Sequence, residues 1–200
     1  MPETESLQAG VFRAGFDALR QIGGEAIVHI LLAQAGESGL TDQATGDARI
    51  PLEQYLRYRD AALDFLGESF ASTAFETGKL LVHELQTEQT RQMSWLVAQY
   101  KGAASQLPLI GQAAVLAAKD NPGRVTAKMK SKDVLAITIE HCPECRGLTR
   151  KTPFCYLNQG VISEFAAVYL GLHVVTKETR CMAVGDDRCE IEVVEEGRQT

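Results

Sequence analysis

The chain has 200 residues, 45% of them apolar, and a net charge of −6. That length buries a core without covalent staples, and the acidic balance argues against a nucleic-acid surface, which calls for clustered Lys and Arg. No run approaches the ~18 apolar residues of a membrane span, and Met1-Pro2-Glu3-Thr4-Glu5 has neither the basic start nor the apolar run of a signal peptide, so the protein is expected in a reducing cytoplasm.

From Ser6 to Ile22 apolar residues recur at helical spacing until Gly23-Gly24 stops them. A second helix, Glu25 to Ala35, carries Ile27, Val28, Ile30, Leu31 and Leu32 and reads as buried on most sides. Gly36 to Ile50 is polar and rich in Gly, Asp and Thr, which predicts a loop free to move. Pro51 opens the next helix, whose apolar face is Tyr55, Leu56, Ala62, Leu63, Phe65 and Leu66, and which ends near Gly67. From Ser72, read as an N-cap, a long helix is predicted to about Lys101, broken by Gly102. A shorter helix from Leu107 to Lys119 ends at the turn Asp120-Asn121-Pro122-Gly123.

There the period changes to two. Val125, Ala127 and Met129, then Leu135, Ile137 and Ile139, alternate with other residues, predicting two strands joined at Lys130-Ser131-Lys132-Asp133. The short basic stretches Arg124 to Lys132 and Arg146 to Lys151 read as solvated. Phe154 to Leu170 returns to helix and Gly171 caps it; two final strands, His173 to Ala183 and Arg188 to Val194, form a hairpin about Gly185-Asp186. The layout is α+β: a helical front of residues 1–120, then β-β-α-β-β with an antiparallel sheet over 121–197, in one compact domain.

All five cysteines lie in the last third of the chain: Cys142, Cys145, Cys155, Cys181 and Cys189. In a reducing compartment such grouping points to metal binding or reactivity rather than disulfides. A hairpin centred on Gly185 sets Cys181 opposite Cys189, with Cβ atoms about 4.5–5.5 Å apart, so two thiolates can share a cation. Cys155 stands at a helix start, where free N–H groups are expected to lower a thiol's pKa. Glu178 precedes Cys181 by three residues, which places the two on opposite strand faces unless the strand bulges near Thr179-Arg180. Cys142-x-x-Cys145 is a competing supplier, since that knuckle spacing holds two corners of many zinc sites. His29 and His83 lack partners nearby in sequence, and His141, beside Cys142, reads as a strand-end residue.

The pattern Cys142-Pro143-x-Cys145-x-Gly147, Phe154-Cys155 with Gly160, Gly171, Glu178-x-x-Cys181, Gly185 and Cys189 resembles the 4-vinyl reductase domain over about residues 120–195. The resemblance implies a fold akin to small subunits of the TRAPP tethering complex, an apolar pocket walled by helices and a homodimer through the N-terminal helices. Related sensor domains of phenol- and xylene-responsive activators hold zinc through three cysteines and a glutamate; carried over by position these are Cys155, Glu178, Cys181 and Cys189. Those sensors lack the Cys142/Cys145 pair, which leaves the ligand set here open. No Gly-x-Gly-x-x-Gly turn or flavin signature is present. A zinc-stabilised binding protein for a hydrophobic ring compound, such as a tetrapyrrole intermediate of bacteriochlorophyll synthesis, is therefore favoured over a 4-vinyl reductase, with an aromatic-sensing domain as the other reading. Phe75, Trp95, Tyr100, Phe165 and Tyr169 are the expected ligand contacts.

Overall fold

A computed structural model describes residues 5–84, 106–119 and 121–197. The chain runs β1 (Ser6–Gln8), α1 (Ala9–Gly23), α2 (Glu25–Gln34), α3 (Leu40–Gln43), β2 (Arg49–Pro51), α4 (Leu52–Leu66), a 3-10 turn (Gly67–Ser69) and α5 (Phe70–Glu84). It continues with α6 (Leu107–Ala117), β3 (Arg124–Met129), β4 (Val134–Glu140), α7 (Tyr156–Phe165), a π-helical turn (Ala166–Leu170), β5 (Val174–Arg180), a 3-10 turn (Met182–Val184) and β6 (Cys189–Glu195). The architecture is α+β.

The sheet is antiparallel in the order β3-β4-β6-β5. Its inner face presents Leu135, Ile137 and Ile139 of β4 and Cys189, Ile191 and Val193 of β6, all buried. Outward residues are charged, and Lys130 Nζ bridges Glu190 and Glu192 at 3.1 and 2.7 Å. This one-sided alternation is what a sheet covered on a single face requires. α6 packs on β3 and β4, α7 on β5, and α5 lies against α7.

The α5–α7 contact is closer than side chains allow. A Cβ on Gly78 would overlap the Leu157 carbonyl oxygen, and one on Gly160 would overlap the Phe75 carbonyl oxygen. The two glycines let the helix backbones touch, offsetting their weak helix propensity with close packing. His83 Nε2 and Glu164 Oε1 tie the same pair of helices at 2.9 Å. A second buried cluster, built from α1, α2 and α4 around Phe12, Leu19, Leu31 and Tyr55, meets the sheet's cluster at Phe70, which packs on both.

Several predicted elements differ. Ser6–Gln8 is strand, not helix, because Leu7 and Ile50 are buried side by side where β1 pairs with β2. The predicted loop over 36–50 holds α3 and β2 and is anchored by buried Leu40 and Ile50; Glu37, also buried, accepts from Gln54 Nε2 at 2.9 Å and from Arg57 Nε at 2.6 Å. α2 buries one face only: Val28, Leu31 and Leu32 are covered while Ile30 is 54% exposed. α4 turns inward through Tyr55, Tyr58, Arg59 and Ala62, leaving Phe65 exposed. Ser72 lies inside α5 rather than at its cap, and its hydroxyl donates to the Ser69 carbonyl at 3.0 Å. The rest of the predicted long helix, past Glu84, lies outside the described residues, as do Trp95 and Tyr100. The helix expected from Phe154 starts at Tyr156, and Gly171 ends it in a left-handed conformation at φ 64°.

Candidate metal centre

Three separate pieces of chain deliver the cysteines. After β4 the backbone turns sharply at His141, φ 55°, and the loop folds back so that Cys145 N–H donates to the Cys142 carbonyl at 3.2 Å and Leu148 N–H to the Cys145 carbonyl at 3.1 Å. This is the knuckle that Cys-x-x-Cys spacing favours. Cys155 is the residue immediately before α7. The hairpin of β5 and β6 brings Cys181 and Cys189, with Cys189 opposite Ile139 of β4.

β5 carries the irregularity that ligation by Glu178 demands. Glu178 pairs with Ile191 but Arg180 pairs with Glu190, so Thr179 is the extra residue of a bulge. The bulge re-phases the strand, and both Glu178 and Cys181 face inward and are buried.

The result is one buried knot. Ligand atoms of Cys145, Cys155, Glu178, Cys181 and Cys189 all lie within 4.8 Å of one another. Cys145 Sγ stands 3.4 Å from Cys155 Sγ and 3.5 Å from both Cys181 Sγ and Cys189 Sγ. Zinc–sulfur bonds of about 2.3 Å in a tetrahedron put sulfurs about 3.8 Å apart, so small adjustments admit one such ion. Glu178 Oε2 accepts the Cys155 backbone N–H at 2.8 Å while Oε1 is buried with no partner. An orphaned carboxylate oxygen among thiols is where a cation fits.

The protons divide unevenly. Hydrogen bonds from Cys145 and Cys155 hold the Cys181 thiol down at about 6, and Cys189 is lowered in the same way by Cys142 and its neighbours. Cys155 is raised instead, by sharing its hydrogen with Cys142 and the other cysteines, which overrides the lowering expected at a helix start. Burial pushes Glu178 up to about 8. Negative charge thus settles on the hairpin cysteines, and a cation would draw it onto the rest.

Arg59 of α4 anchors the knuckle from the helical side. Only 4% exposed, its Nη1 donates to the carbonyls of Pro143, Glu144 and Arg146 at 3.3, 2.9 and 2.9 Å, and its Nε and Nη2 reach Asp60 Oδ1 at 2.9 and 2.6 Å. Sequence reasoning missed it, although an arginine on the Tyr55–Ala62 stripe was a signal. Glu144 was missed too: buried, it accepts from Leu157 N–H at 3.3 Å, Asn158 N–H at 3.2 Å and Asn158 Nδ2, capping α7.

Other expected residues lie elsewhere. Phe165 and Tyr169, with ring centroids 5.0 Å apart, belong to the sheet's core, and Phe75 sits on α5. None of the three lines the cavity of about 40 Å3 between Tyr55, Tyr58, Arg59, Phe70, Thr77, Glu144 and Phe154. An open apolar groove of about 480 Å3 runs along α6 and β3, bounded by Pro108, Gly111, Val115, Leu116, Ala127, Met129 and Leu135. All four histidines, including His141, are exposed. Among the described residues no helix is long and apolar enough to cross a membrane.

Comparison with known proteins agrees with this geometry. Residues 135–195, from β4 to β6, match the family model of the 4-vinyl reductase domain, so the resemblance holds over the stretch that carries the cysteines. An uncharacterized protein of Methanocaldococcus jannaschii, MJ0745, is 38% identical over 71 residues, covering 34% of this chain and 39% of that protein; the match therefore spans about two-fifths of that relative's length. The fold is similar to an H-NOX protein from S. oneidensis in the Fe(II)NO ligation state, with TM-score 0.61 and 12% identity over 95% of this chain and 99% of that one. It is also similar to the phenol-responsive sensory domain of the transcription activator PoxR with phenol, with TM-score 0.55 and 17% identity over 75% and 78% of the respective chains.

Proposed function

We propose that this chain, whose residues 135–195 match the 4-vinyl reductase domain, is a small-molecule-binding or sensing module in which a single zinc ion pins the sheet and an apolar ring compound is the ligand. The observation that carries this reading is the convergence of Cys145, Cys155, Glu178, Cys181 and Cys189 within 4.8 Å. Thiolates with one carboxylate suit zinc, and a cluster of several irons would spread its thiolates further than a single ion does. The ion is held by Cys155, Glu178, Cys181 and Cys189, with Cys145 a fifth contender for one of the four places. Bound there, zinc supplies rigidity rather than chemistry.

The ligand reading draws on the fold neighbours, one named for phenol, and on the groove along α6 and β3, whose 480 Å3 falls within the range of small-molecule sites. β4 joins the two features: Ile139 sits opposite Cys189, and Leu135 borders the groove. A single ring suits this groove better than a tetrapyrrole, and the surface position of all four histidines gives an H-NOX-like heme no axial imidazole. Thiols this close persist in a reducing compartment, and a homodimer would bury Ile22 and Ile30, which are 53% and 54% exposed.

Native mass spectrometry and metal analysis of protein prepared without chelator test the ion. Calorimetric titration with phenol and larger ring compounds, on the parent and on Met129→Lys, tests the groove. Retained zinc with ring binding lost in Met129→Lys is expected. Protein that holds no metal, or binds rings equally in the variant, would overturn the corresponding half.

A further inference from the structure

The knot contains more ligands than one tetrahedral ion can use. Cys142 stands apart from the five-residue set and belongs to another: its Sγ lies 3.5 Å from Cys155 Sγ, and Cys142, Glu144 and Cys155, all buried, offer ligand atoms within 4.8 Å of one another. Cys155 is common to both groups.

We propose that the knot takes a second divalent cation, held by Cys142, Glu144 and Cys155, with the Cys155 thiolate shared between the two ions. The inference rests on the first ion's being bound at Cys145, Cys155, Cys181, Cys189 and Glu178. It also gives the two knuckle cysteines different tasks: Cys145 serves the first ion and Cys142 the second. Two thiolates and a carboxylate are a donor set that zinc, cobalt or cadmium accepts.

Two further features of the site support it. The three hydrogen bonds that Glu144 accepts from Leu157 and Asn158 leave one of a carboxylate's roughly four lone-pair positions free for a metal. Glu144 also lines the cavity of about 40 Å3 that opens toward Tyr55 and Thr77, a space large enough for water. Three protein ligands and a water complete four-coordination, the arrangement of an ion with one exchangeable position. Loading that position expels the thiol protons of Cys142 and Cys155 to solvent and leaves the carboxylate ionised.

The test is a cadmium titration of chelator-stripped protein followed by native mass spectrometry and cadmium-113 NMR. The parent is expected to saturate at two ions, with two resonances coupled to each other through the shared sulfur. Cys142→Ser, which spares every ligand of the first ion, is expected to saturate at one and lose the coupling. Should that variant fold poorly by circular dichroism, Glu144→Gln is expected to give the same single-ion result. A parent that stops at one ion overturns the second site and leaves the first standing; a parent that binds none overturns both. Two ions retained in both variants would place the second elsewhere and overturn the assignment.

Discussion

Glu178 Oε2 accepts the backbone N–H of Cys155 at 2.8 Å, across the gap between β5 and the start of α7, and its second oxygen is buried with nothing to bind. One carboxylate therefore both fixes the loop that carries a thiol and offers an oxygen to whatever that thiol holds. Glu178→Gln separates the two roles. The amide still accepts from Cys155 but is a far poorer metal ligand, so fold and melting of the metal-free variant should match the parent, while zinc affinity falls about tenfold or more, in the range typical of disrupted metal sites. Competition against a chromophoric chelator measures it, and unchanged affinity would remove Glu178 from the ligand set.

The metal-free protein should lose stability as pH rises. Burial pushes Glu144 and Glu178 each up to about 8 from a reference of 4.5. The folded state thus binds more protons than the unfolded chain between those values, and the linkage slope is negative there. Their contribution is fully present below about 4.5 and gone above about 8. Urea midpoints of chelated protein across that window should fall, whereas zinc-loaded protein, in which the ion favours the ionised forms, should not show the decline.

Arg59→Met should cost about 2–4 kcal/mol, because it strips a shared donor from three carbonyls of the knuckle and leaves Asp60 unpaired. At roughly 2–4 °C per kcal/mol for a chain of this size, the melting point drops by about 5–15 °C. Differential scanning calorimetry reads the drop, and a shift of a degree or less would show that the knuckle holds itself.

Gly160→Ala should be as damaging as a core lesion although it adds one methyl. Its Cβ would meet the Phe75 carbonyl oxygen on α5, which is backbone and cannot swing away. Forcing the helices apart costs about 3 kcal/mol or more, while Ala in place of an unconstrained helical Gly would stabilise by up to about 1 kcal/mol. The sign of the change in chemical denaturation decides between tight crossing and loose contact.

Much of the site was legible because its signals are local. The turn residues, the period of two along Val125–Met129 and Leu135–Ile139, the knuckle spacing and the hairpin about Gly185 each depend on a few neighbouring residues, and each produces its element nearly in place. Even the bulge at Thr179 followed from a local demand, that Glu178 and Cys181 face one way. What failed at residues 6–8 and 36–50 failed because pairing of β1 with β2 spans some forty residues and overrides the local pattern.

By itself, then, the sequence determined an α+β chain with a thiol-rich C-terminal third, since periodicity and turn chemistry are properties of short segments. Only the tertiary structure decided that Cys145 stands at the centre of the knot, that Cys142 pairs with Glu144 and Cys155 instead, and that Arg59 reaches across from α4 to hold them. Those are distances between segments tens of residues apart, set by how helices and sheet pack, and no spacing along the chain encodes them.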